Sequence, residues 1–352
     1  MNKKVFLGLF LFFFFVYNFK GLTEANAQEY RGVSPGVLML LLDDEVKDID
    51  SYPHAWEVMR PMPETRVFHA VVADSDGSLF VVGGSSDALG ENPTNTLFRY
   101  DTARDTWERM ADLPEALHRI DAEIINRKIY VPGDLNNEAT YVYDIDGDNW
   151  SSFDHNNEYS PRVHYRTVSV DDSLFVLGGY LPGIGSTNKV WILCTETNEW
   201  SEGVSMQNER ANFAAAVINK NIYVAGGVSI PGFDSIMTGE IFNLTKWAFI
   251  ADLPDHDGSY PYWSYMADGC TETSLWIAGG RRDEEWNVLN YAGYYDPAKD
   301  IWKDSSSSVP ALNHGRAYLS GAVASDGYFY ATGGRNEYAN VIYDNNERLR
   351  VR

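Results

Sequence analysis

One residue type recurs at a fixed place along the chain and could recognise an anion. Arginine stands 16 or 17 residues before a Gly-Gly pair at four positions, which are Arg66, Arg162, Arg210 and Arg316. Guanidinium groups suit carboxylates and phosphates, so convergence of these side chains would form a cationic binding site. The alternative is that each arginine binds a nearby carboxylate or backbone carbonyl and serves the repeat. The sequence leaves both interpretations open.

Three further residues complete the set of candidate ligand-binding side chains. His69 and His314 accompany the first and last arginines of the series, and Tyr262 belongs to a local aromatic cluster. Arg119 is a looser match to the arginine series.

Signatures of enzyme chemistry are absent from the sequence. The seven histidines are scattered singly, without metal-ligand spacing. No helix pattern and no Lys-Ser/Thr follow the glycine pairs, which excludes a phosphate-binding loop. We predict no catalytic residue, no metal site and no cofactor.

Two kinds of side chain could carry covalent modifications. Cys194 and Cys270 fall in non-adjacent repeats, beyond the roughly 7 Å Cα separation that a disulfide allows, and are predicted to be free thiols. Asn149 and Asn243 begin Asn-x-Ser/Thr sequons and are candidate glycosylation sites in a eukaryotic host.

The elements that position these residues come from an internal repeat of about fifty residues. Each unit has short apolar runs bounded by turn residues, which predict strands and not helices. The repeated glycines are Gly83-Gly84, Gly133-Asp134, Gly178-Gly179, Gly226-Gly227, Gly279-Gly280 and Gly333-Gly334. The tryptophans that follow are Trp107, Trp150, Trp200, Trp247 and Trp302. Four strands at this period predict an all-β propeller.

The repeat resembles the kelch motif. Its marks are an apolar run into Gly-Gly, an aromatic-Asp pair and a Trp about seven residues later, as in VVGG…RYDTARDTW and IAGG…YYDPAKDIW. The resemblance covers roughly residues 55 to 344 and implies a six-bladed kelch propeller of four antiparallel strands per blade. The glycines are expected where neighbouring blades approach closely, and the aromatic residues in the core between blades.

The two ends of the repeat region predict how the ring closes. The segment around Trp56 resembles a fourth strand without its first three, whereas unit six has three strands, the last near Ala339 to Asp344, and no Trp. We expect the N-terminal strand around Trp56 to complete the last blade, which removes open sheet edges. The alternative is that Glu347 to Arg352 supplies that strand.

The N-terminal residues predict export. Lys3 and Lys4 precede an apolar stretch, and Ala25-Asn26-Ala27 offers a cleavage site, so residues 1–27 are predicted to be a signal peptide. The alternative is an uncleaved anchor, which alone would bring the protein to a membrane. Residues 28–53 form an extension of unknown role, and residues 54–352 form the propeller. The expected location is extracellular or periplasmic, and the expected state is a monomer.

Charge limits the class of partner. A net charge of −22 speaks against nucleic acid, whose phosphates require Lys and Arg. The 2–3 loops, which join the second and third strands of each unit, are long and variable, as binding loops usually are. The sequence therefore predicts a module that binds a protein or a glycan through its 2–3 and 4–1 loop face.

An enzymatic alternative comes from resemblance alone. Sialic-acid mutarotases are exported six-bladed kelch proteins of similar length, which implies a sugar epimerase with an Arg and a Glu as acid/base pair. Galactose-oxidase-like enzymes also have kelch blades, but neither cysteine lies where that family places its Tyr–Cys cross-link.

Overall fold

Strands joined by turns and loops make up the described part of the chain. A computed structural model describes residues 55–351 except 156–157, 256–262, 282–286, 306–307 and 337–340. These residues contain six antiparallel four-stranded sheets, the blades, and no helix. The innermost strand of each blade lies beside the innermost strands of the two neighbouring blades, so the blades form a closed ring. The predicted all-β six-bladed propeller is confirmed.

The strands are numbered in chain order. Blades 1 to 3 contain β2 (Ala70–Ala73), β3 (Ser78–Val82), β4 (Leu97–Asp101) and β5 (Thr106–Arg109); β6 (Glu123–Ile125), β7 (Lys128–Val131), β8 (Ala139–Asp144) and β9 (Asn149–Asp154); and β10 (Arg166–Val170), β11 (Ser173–Leu177), β14 (Val190–Cys194) and β15 (Glu199–Glu202).

Blades 4 to 6 follow the same order from the axis outward. They contain β16 (Ala214–Ile218), β17 (Asn221–Ala225), β20 (Gly239–Phe242) and β21 (Trp247–Ile250); β22 (Ala267–Cys270), β23 (Leu275–Ala278), β24 (Ala292–Asp296) and β25 (Ile301–Asp304); and β26 (Ser320–Val323), β27 (Tyr328–Thr332), β30 (Asn346–Arg350) and β1 (Glu57–Val58).

In the described residues, three of the 2–3 loops carry a short hairpin of their own. These hairpins are β12 (Tyr180–Leu181) with β13 (Gly185–Ser186), β18 (Val228–Ser229) with β19 (Asp234–Ser235), and β28 (Arg335–Asn336) with β29 (Val341–Ile342).

The N-terminal strand closes the ring. Strand β1 pairs antiparallel with β30, and Glu57 lies opposite Arg348. Trp56 is buried, and its indole N–H donates to the carbonyl of Pro310 over 2.9 Å. Its ring packs edge-on against Phe329, with the centroids 5.7 Å apart. The predicted closure by the segment around Trp56 is confirmed.

The third strand of blade 6 lies later in the chain than predicted. The sequence assigned it to residues 339–344, but Val341–Ile342 forms β29 in the 2–3 loop, and Asn346–Arg350 pairs with β27 instead. The reason is burial, because Leu349 and Val351 place their side chains in the core. The segment that the sequence offered as an alternative fourth strand thus supplies the third.

The repeated glycines lie where one blade meets the next. The N–H of Gly84 donates to the carbonyl of Leu117 in blade 2 over 2.8 Å. Gly83 has φ +56, and a β carbon there would lie 2.6 Å from that same carbonyl oxygen. Glycine is needed for both reasons, so the prediction of close approach between blades is confirmed.

The repeated tryptophans join the outer edges of the blades. Five indole N–H groups donate to a carbonyl of the neighbouring blade, and these residues are Trp56, Trp107, Trp150, Trp247 and Trp302. Each one buries an aromatic surface and also fixes the position of its blade relative to the next.

Three smaller features complete the description. Both cysteines are free thiols, as predicted. Strand β7 ends at Val131, directly before the proline that cannot extend its ladder. The described residues contain no helix of the length and apolarity that a membrane span requires.

Candidate functional site

The two ends of the propeller differ in the length of their connections. We call the end that carries the 2–3 loops and the 4–1 connections the long-loop face. The opposite end, which carries the short 1–2 and 3–4 turns, is the turn face. This difference follows from antiparallel order within each blade, because alternate connections emerge on opposite sides.

Six residues form a closed ring around the axis at the long-loop face. We call this set, one residue from each 4–1 connection, the axial ring; it consists of Phe68, Arg119, His164, Asn212, Tyr265 and Tyr318. Each backbone N–H donates to the carbonyl of the preceding member over 2.8–3.3 Å, and the N–H of Phe68 closes the circle by donating to the carbonyl of Tyr318. All six have φ between 55° and 59°. The ring is therefore a continuous hydrogen-bonded circle in the left-handed conformation.

Aromatic side chains of the axial ring fill the centre of the long-loop face. The rings of Tyr265 and Tyr318 lie 4.3 Å apart, and those of Phe68 and Tyr318 lie 4.7 Å apart. His164 contacts both Phe68 and Tyr265. Burial raises the pKa of Tyr265 to about 12 and lowers that of His164 to about 3, so both side chains are neutral at physiological pH.

Three arginines surround this aromatic centre. Arg119 lies over the ring of Phe68 at 5.0 Å, and Arg335 lies over that of Tyr318 at 4.3 Å. Arg281 is buried close to Tyr265 and Tyr318, whose pKa values its charge lowers. Three guanidinium groups therefore lie at the middle of one face of an acidic protein, and the carboxylate of Asp87 acts on two of them, Arg119 and Arg335.

Exposed apolar side chains stand on the 2–3 loops around this centre. They are Leu89, Ile184, Phe233 and Val341, in the loops of blades 1, 3, 4 and 6, with exposed fractions of 63%, 74%, 40% and 41%. The loop of blade 1 is also fixed to the centre, because Arg119 donates to the carbonyl of Leu89 over 2.6 Å and Arg335 donates to that of Ala88. The long-loop face thus combines a cationic aromatic centre with an apolar periphery.

The four arginines that the sequence singled out lie elsewhere. Arg66, Arg162, Arg210 and Arg316 are buried, and each donates to a backbone carbonyl of its own blade. Arg210 and Arg316 also pair with the buried carboxylates of Glu240 and Glu347, at 2.7 and 2.6 Å. This is the arrangement of the second interpretation, so we assign these residues to the framework. In blade 2 the equivalent position is Leu117, and Arg119 belongs to the axial ring.

The remaining candidates are spread over the molecule. His69 is buried and bonded to Thr332 at 2.9 Å, and burial lowers its pKa to about 3. His314 is exposed and stacks on Tyr343. Tyr262 lies outside the described residues. Both sequon asparagines, Asn149 and Asn243, are exposed beside 3–4 turns on the turn face.

A cavity of about 690 Å³ occupies the central channel below the axial ring. The innermost strands line it, and it extends to the 1–2 turns, so its mouth is on the turn face. Arg166 crosses the channel and pairs with Asp268 at 2.6 Å, while its other terminal nitrogen lies 3.7 Å from Asp121. Glu123 lies in the same cavity and accepts a hydrogen bond from the hydroxyl of Ser169 over 2.7 Å. In the described residues, no group of three or more His, Cys, Asp or Glu is arranged to hold a metal ion.

Two carboxyl groups in the channel, those of Glu123 and Asp268, have raised pKa values. Burial, with smaller contributions from Asp121 and Asp268, raises the pKa of Glu123 from 4.5 to about 8. Burial also raises the pKa of Asp268 to about 6, against the opposing effect of Arg166.

We expect the raised pKa of Glu123 to make stability depend on pH. The folded state favours the protonated form of Glu123 more than the unfolded state does. The contribution of this group to the free energy of unfolding is therefore fully present below about pH 4.5, the ordinary pKa, and is lost as the pH rises through about 8, the pKa in the folded protein. The free energy of unfolding of Glu123→Gln, relative to that of the wild type, should therefore rise by on the order of 2 kcal/mol from pH 5 to pH 9. Urea titrations at both pH values measure this difference. Glu108→Gln, which removes an exposed carboxylate, should show a difference near zero; an equal gain in both variants would contradict the prediction.

Comparison with known proteins decides the family. A family model described as the KLHDC2/KLHL20/DRC7 Kelch-repeats domain matches residues 122–334, more than half of the chain, and a Kelch motif model matches residues 66–114. The chain belongs to the kelch-repeat family. A kelch propeller is typically a protein-binding module, and the predicted resemblance is confirmed.

Several curated kelch proteins are similar to this one. Kelch repeat protein M-T8 of Myxoma virus is 26% identical over 60% of this chain and 40% of its own length. Kelch-like protein 36 of Bos taurus is 26% identical, covering 78% and 45%, and Kelch-like protein terF of Aspergillus terreus is 25% identical, covering 70% and 57%. This kelch chain spans about half the length of the curated relatives it matches.

Sequence analysis missed the side chains that form both ends of the channel. Gly-Gly-Arg occurs in units five and six, so Arg281 and Arg335 could have been noticed as a repeated departure from the other units. The channel residues Asp121 and Arg166 occupy positions where other units have alanine, such as Ala214. A charged residue at a position where the other units have a small one could have indicated the residues of the channel.

Proposed function

We propose that this kelch propeller is an exported module that binds a partner protein through its long-loop face. The observation that carries the proposal is the cationic aromatic centre with its periphery of exposed apolar loop tips. Export rests on the sequence of residues 1–27.

The form of the long-loop face supports a macromolecular partner. The axial ring fills the middle of this face with aromatic side chains, and the apolar tips are distributed over four different blades. A partner that contacts them all must be broad. Aromatic residues and arginine are also the residue types enriched at the centre of protein interfaces.

The charge of the centre supports an acidic segment in that partner. Arg119, Arg281 and Arg335 lie together around Tyr265 and Tyr318, whereas the protein as a whole carries a net charge of −22. Guanidinium groups bind carboxylates with charge-assisted hydrogen bonds, each worth about 1.5–3 kcal/mol. An Asp- or Glu-rich segment of a partner protein is complementary to this centre.

The sugar-epimerase alternative and glycan binding stay predictions. Arg166 and Glu123 both lie in the channel, but the mouth of the channel is on the turn face and Arg166 is paired with Asp268. NMR measurement of anomeric exchange on free sugars tests the enzyme, and a glycan array tests sugar binding.

Selection from a random peptide library against the purified chain tests the proposal. Enriched peptides should carry Asp or Glu together with apolar residues. Arg119→Gln removes the charge of the guanidinium group, so it should weaken binding of those peptides at least about tenfold. Isothermal titration calorimetry measures the change.

Arg104→Gln is the matched control for the loss of one positive charge. Arg104 is exposed in a 3–4 turn on the turn face, so its replacement should leave the affinity within about twofold of wild type. Equal losses in the two variants, or enrichment of peptides without acidic residues, would count against the proposal. Specific glycan binding that Arg119→Gln abolishes would replace the protein partner with a sugar.

A further inference from the structure

The 2–3 loop of blade 1 reaches over the long-loop face and covers part of its cationic aromatic centre. We call residues 85–93 of this loop the strap. Arg119 donates through Nη2 to the carbonyl of Leu89 over 2.6 Å, and Arg335 donates through Nη1 to that of Ala88. The strap therefore occupies N–H groups of two of the three arginines at the centre.

The strap is itself an acidic segment that is held in one shape by its own side chain. The carboxylate of Asp87 accepts the backbone N–H groups of Leu89 and Glu91 over 2.8 and 3.1 Å. The charge of Asp87 also acts on Arg119 and Arg335. The strap thus brings to the centre the same kind of group that an acidic partner would bring.

The strap is attached firmly at its ends and weakly along its middle. Ser85 exchanges two backbone hydrogen bonds with Val67, at 2.8 and 3.0 Å, and pairs with Pro93. Of residues 86–92 only Gly90 is buried. Segments that bury few apolar side chains open locally at low cost in free energy. The middle of the strap can therefore move away from the centre while its ends stay in the blade.

The two arginines have supports that do not depend on the strap. Arg119 lies over the ring of Phe68 at 5.0 Å and donates through Nη1 to Nε2 of His118 over 2.8 Å. Arg335 lies over the ring of Tyr318 at 4.3 Å. Departure of the strap would therefore leave both guanidinium groups in place and able to bind another acceptor.

We propose that the strap is an internal competitor, which closes the centre until an acidic segment of a partner displaces it from Arg119 and Arg335. This inference rests on the proposed function of the long-loop face. A carboxylate accepts two parallel N–H bonds from one guanidinium group, whereas a backbone carbonyl offers one neutral oxygen, so the exchange favours the partner. The affinity for the partner is then reduced in proportion to the fraction of molecules whose strap is closed.

Gly90→Ala tests the strap without a change of charge. Gly90 has φ +78, and a β carbon there would lie 2.9 Å from Cδ2 of His118 and 3.1 Å from Nη2 of Arg119. The variant should therefore hold the strap away from the centre. Gly183→Ala is the matched control. Gly183 has φ +77 in the 2–3 loop of blade 3, and no atom of a described residue beyond its chain neighbours lies within 4 Å of the equivalent β carbon.

Modification by phenylglyoxal, a reagent selective for arginine, measures closure of the strap without any partner. The rate at Arg335, followed by mass spectrometry, should rise at least about threefold in Gly90→Ala and stay unchanged in Gly183→Ala. Arg104, whose side chain is 79% exposed, should react equally in the wild type and in both variants, and it gives the reference rate.

Calorimetry with the tightest acidic peptide from the selection measures the competition. Its affinity should rise in Gly90→Ala by the same factor as the reactivity of Arg335, and it should not change in Gly183→Ala. Should Gly90→Ala fail to fold, Asp87→Ala provides the same two readouts, because it removes the acceptor that shapes the strap. Glu108→Ala, on the outer strand of blade 1, is then the control for the lost negative charge.

Two results would overturn the proposal. One is equal reactivity of Arg335 in the two glycine variants. The other is weaker peptide binding by Gly90→Ala despite faster modification, because the strap would then be part of the binding surface and not a competitor. Absence of acidic peptides from the selection would instead refute the proposed function, and the reactivity of Arg335 would still decide whether the strap closes the centre.

Discussion

Replacement of Trp56 with alanine is expected to lower the free energy of unfolding by about 4 kcal/mol. The side chain is 4% exposed and packs in a core cluster with Trp276, Phe329 and Leu349. Its indole N–H also donates to the carbonyl of Pro310. Loss of this residue leaves a cavity in the sheet that joins both ends of the propeller. Urea denaturation followed by far-UV circular dichroism measures the change.

Val58→Ala is the control on the same strand. Val58 is 70% exposed, so its truncation should cost less than about 0.5 kcal/mol. A similar small effect for Trp56→Ala would mean that the propeller stays closed without this strand.

Removal of the charge of Arg210 is expected to be equally damaging. Arg210 and Glu240 are both fully buried and lie 2.7 Å apart. Arg210→Met leaves the carboxylate of Glu240 buried without its partner, and breaking a buried pair in this way costs about 3–5 kcal/mol. The same denaturation experiment measures the loss.

The double variant Arg210→Met/Glu240→Gln shows whether the unpaired charge is the cause. The N–H groups of Gln207 and Asn208 bond to the two different carboxylate oxygens of Glu240 in the wild type, and a neutral glutamine keeps one acceptor oxygen for one of them. We expect the double variant to recover about half of the loss, because the carbonyls of Gly226 and Thr238 still lack Arg210. A double variant less stable than Arg210→Met would refute this account.

Most of the fold was predictable because its contacts repeat. Gly83 and Trp107 have counterparts in most other units, and most of these counterparts make the same kind of contact between blades. The third strand of blade 6 was the exception. Tyr343-Asp344 resembles the aromatic-Asp pair that ends third strands, but no Trp follows it to fix the register.

The candidate sites were less predictable because they do not repeat. The axial ring uses Phe, Arg, His, Asn and Tyr at equivalent positions, so the shared property is a backbone conformation and not a residue type. Repeat-wide arginines such as Arg162 serve the repeat, whereas Arg119 and Arg166 stand where their unit differs from the others. In this propeller the candidate functional residues of both faces stand at positions whose residue type differs from blade to blade.

The closure of blade 6 has a consequence for biosynthesis. Glu57 and Arg348 are partners but lie 291 positions apart, so the N-terminal strand is made long before the strand it pairs with. At roughly 5–20 residues per second, ribosomes need about 15–60 seconds to span that distance. Over this interval the nascent chain carries Trp56 without its permanent neighbours, and the final sheet can assemble only after Arg348 has left the ribosome. A protein that crosses a membrane before folding would lose nothing by this delay.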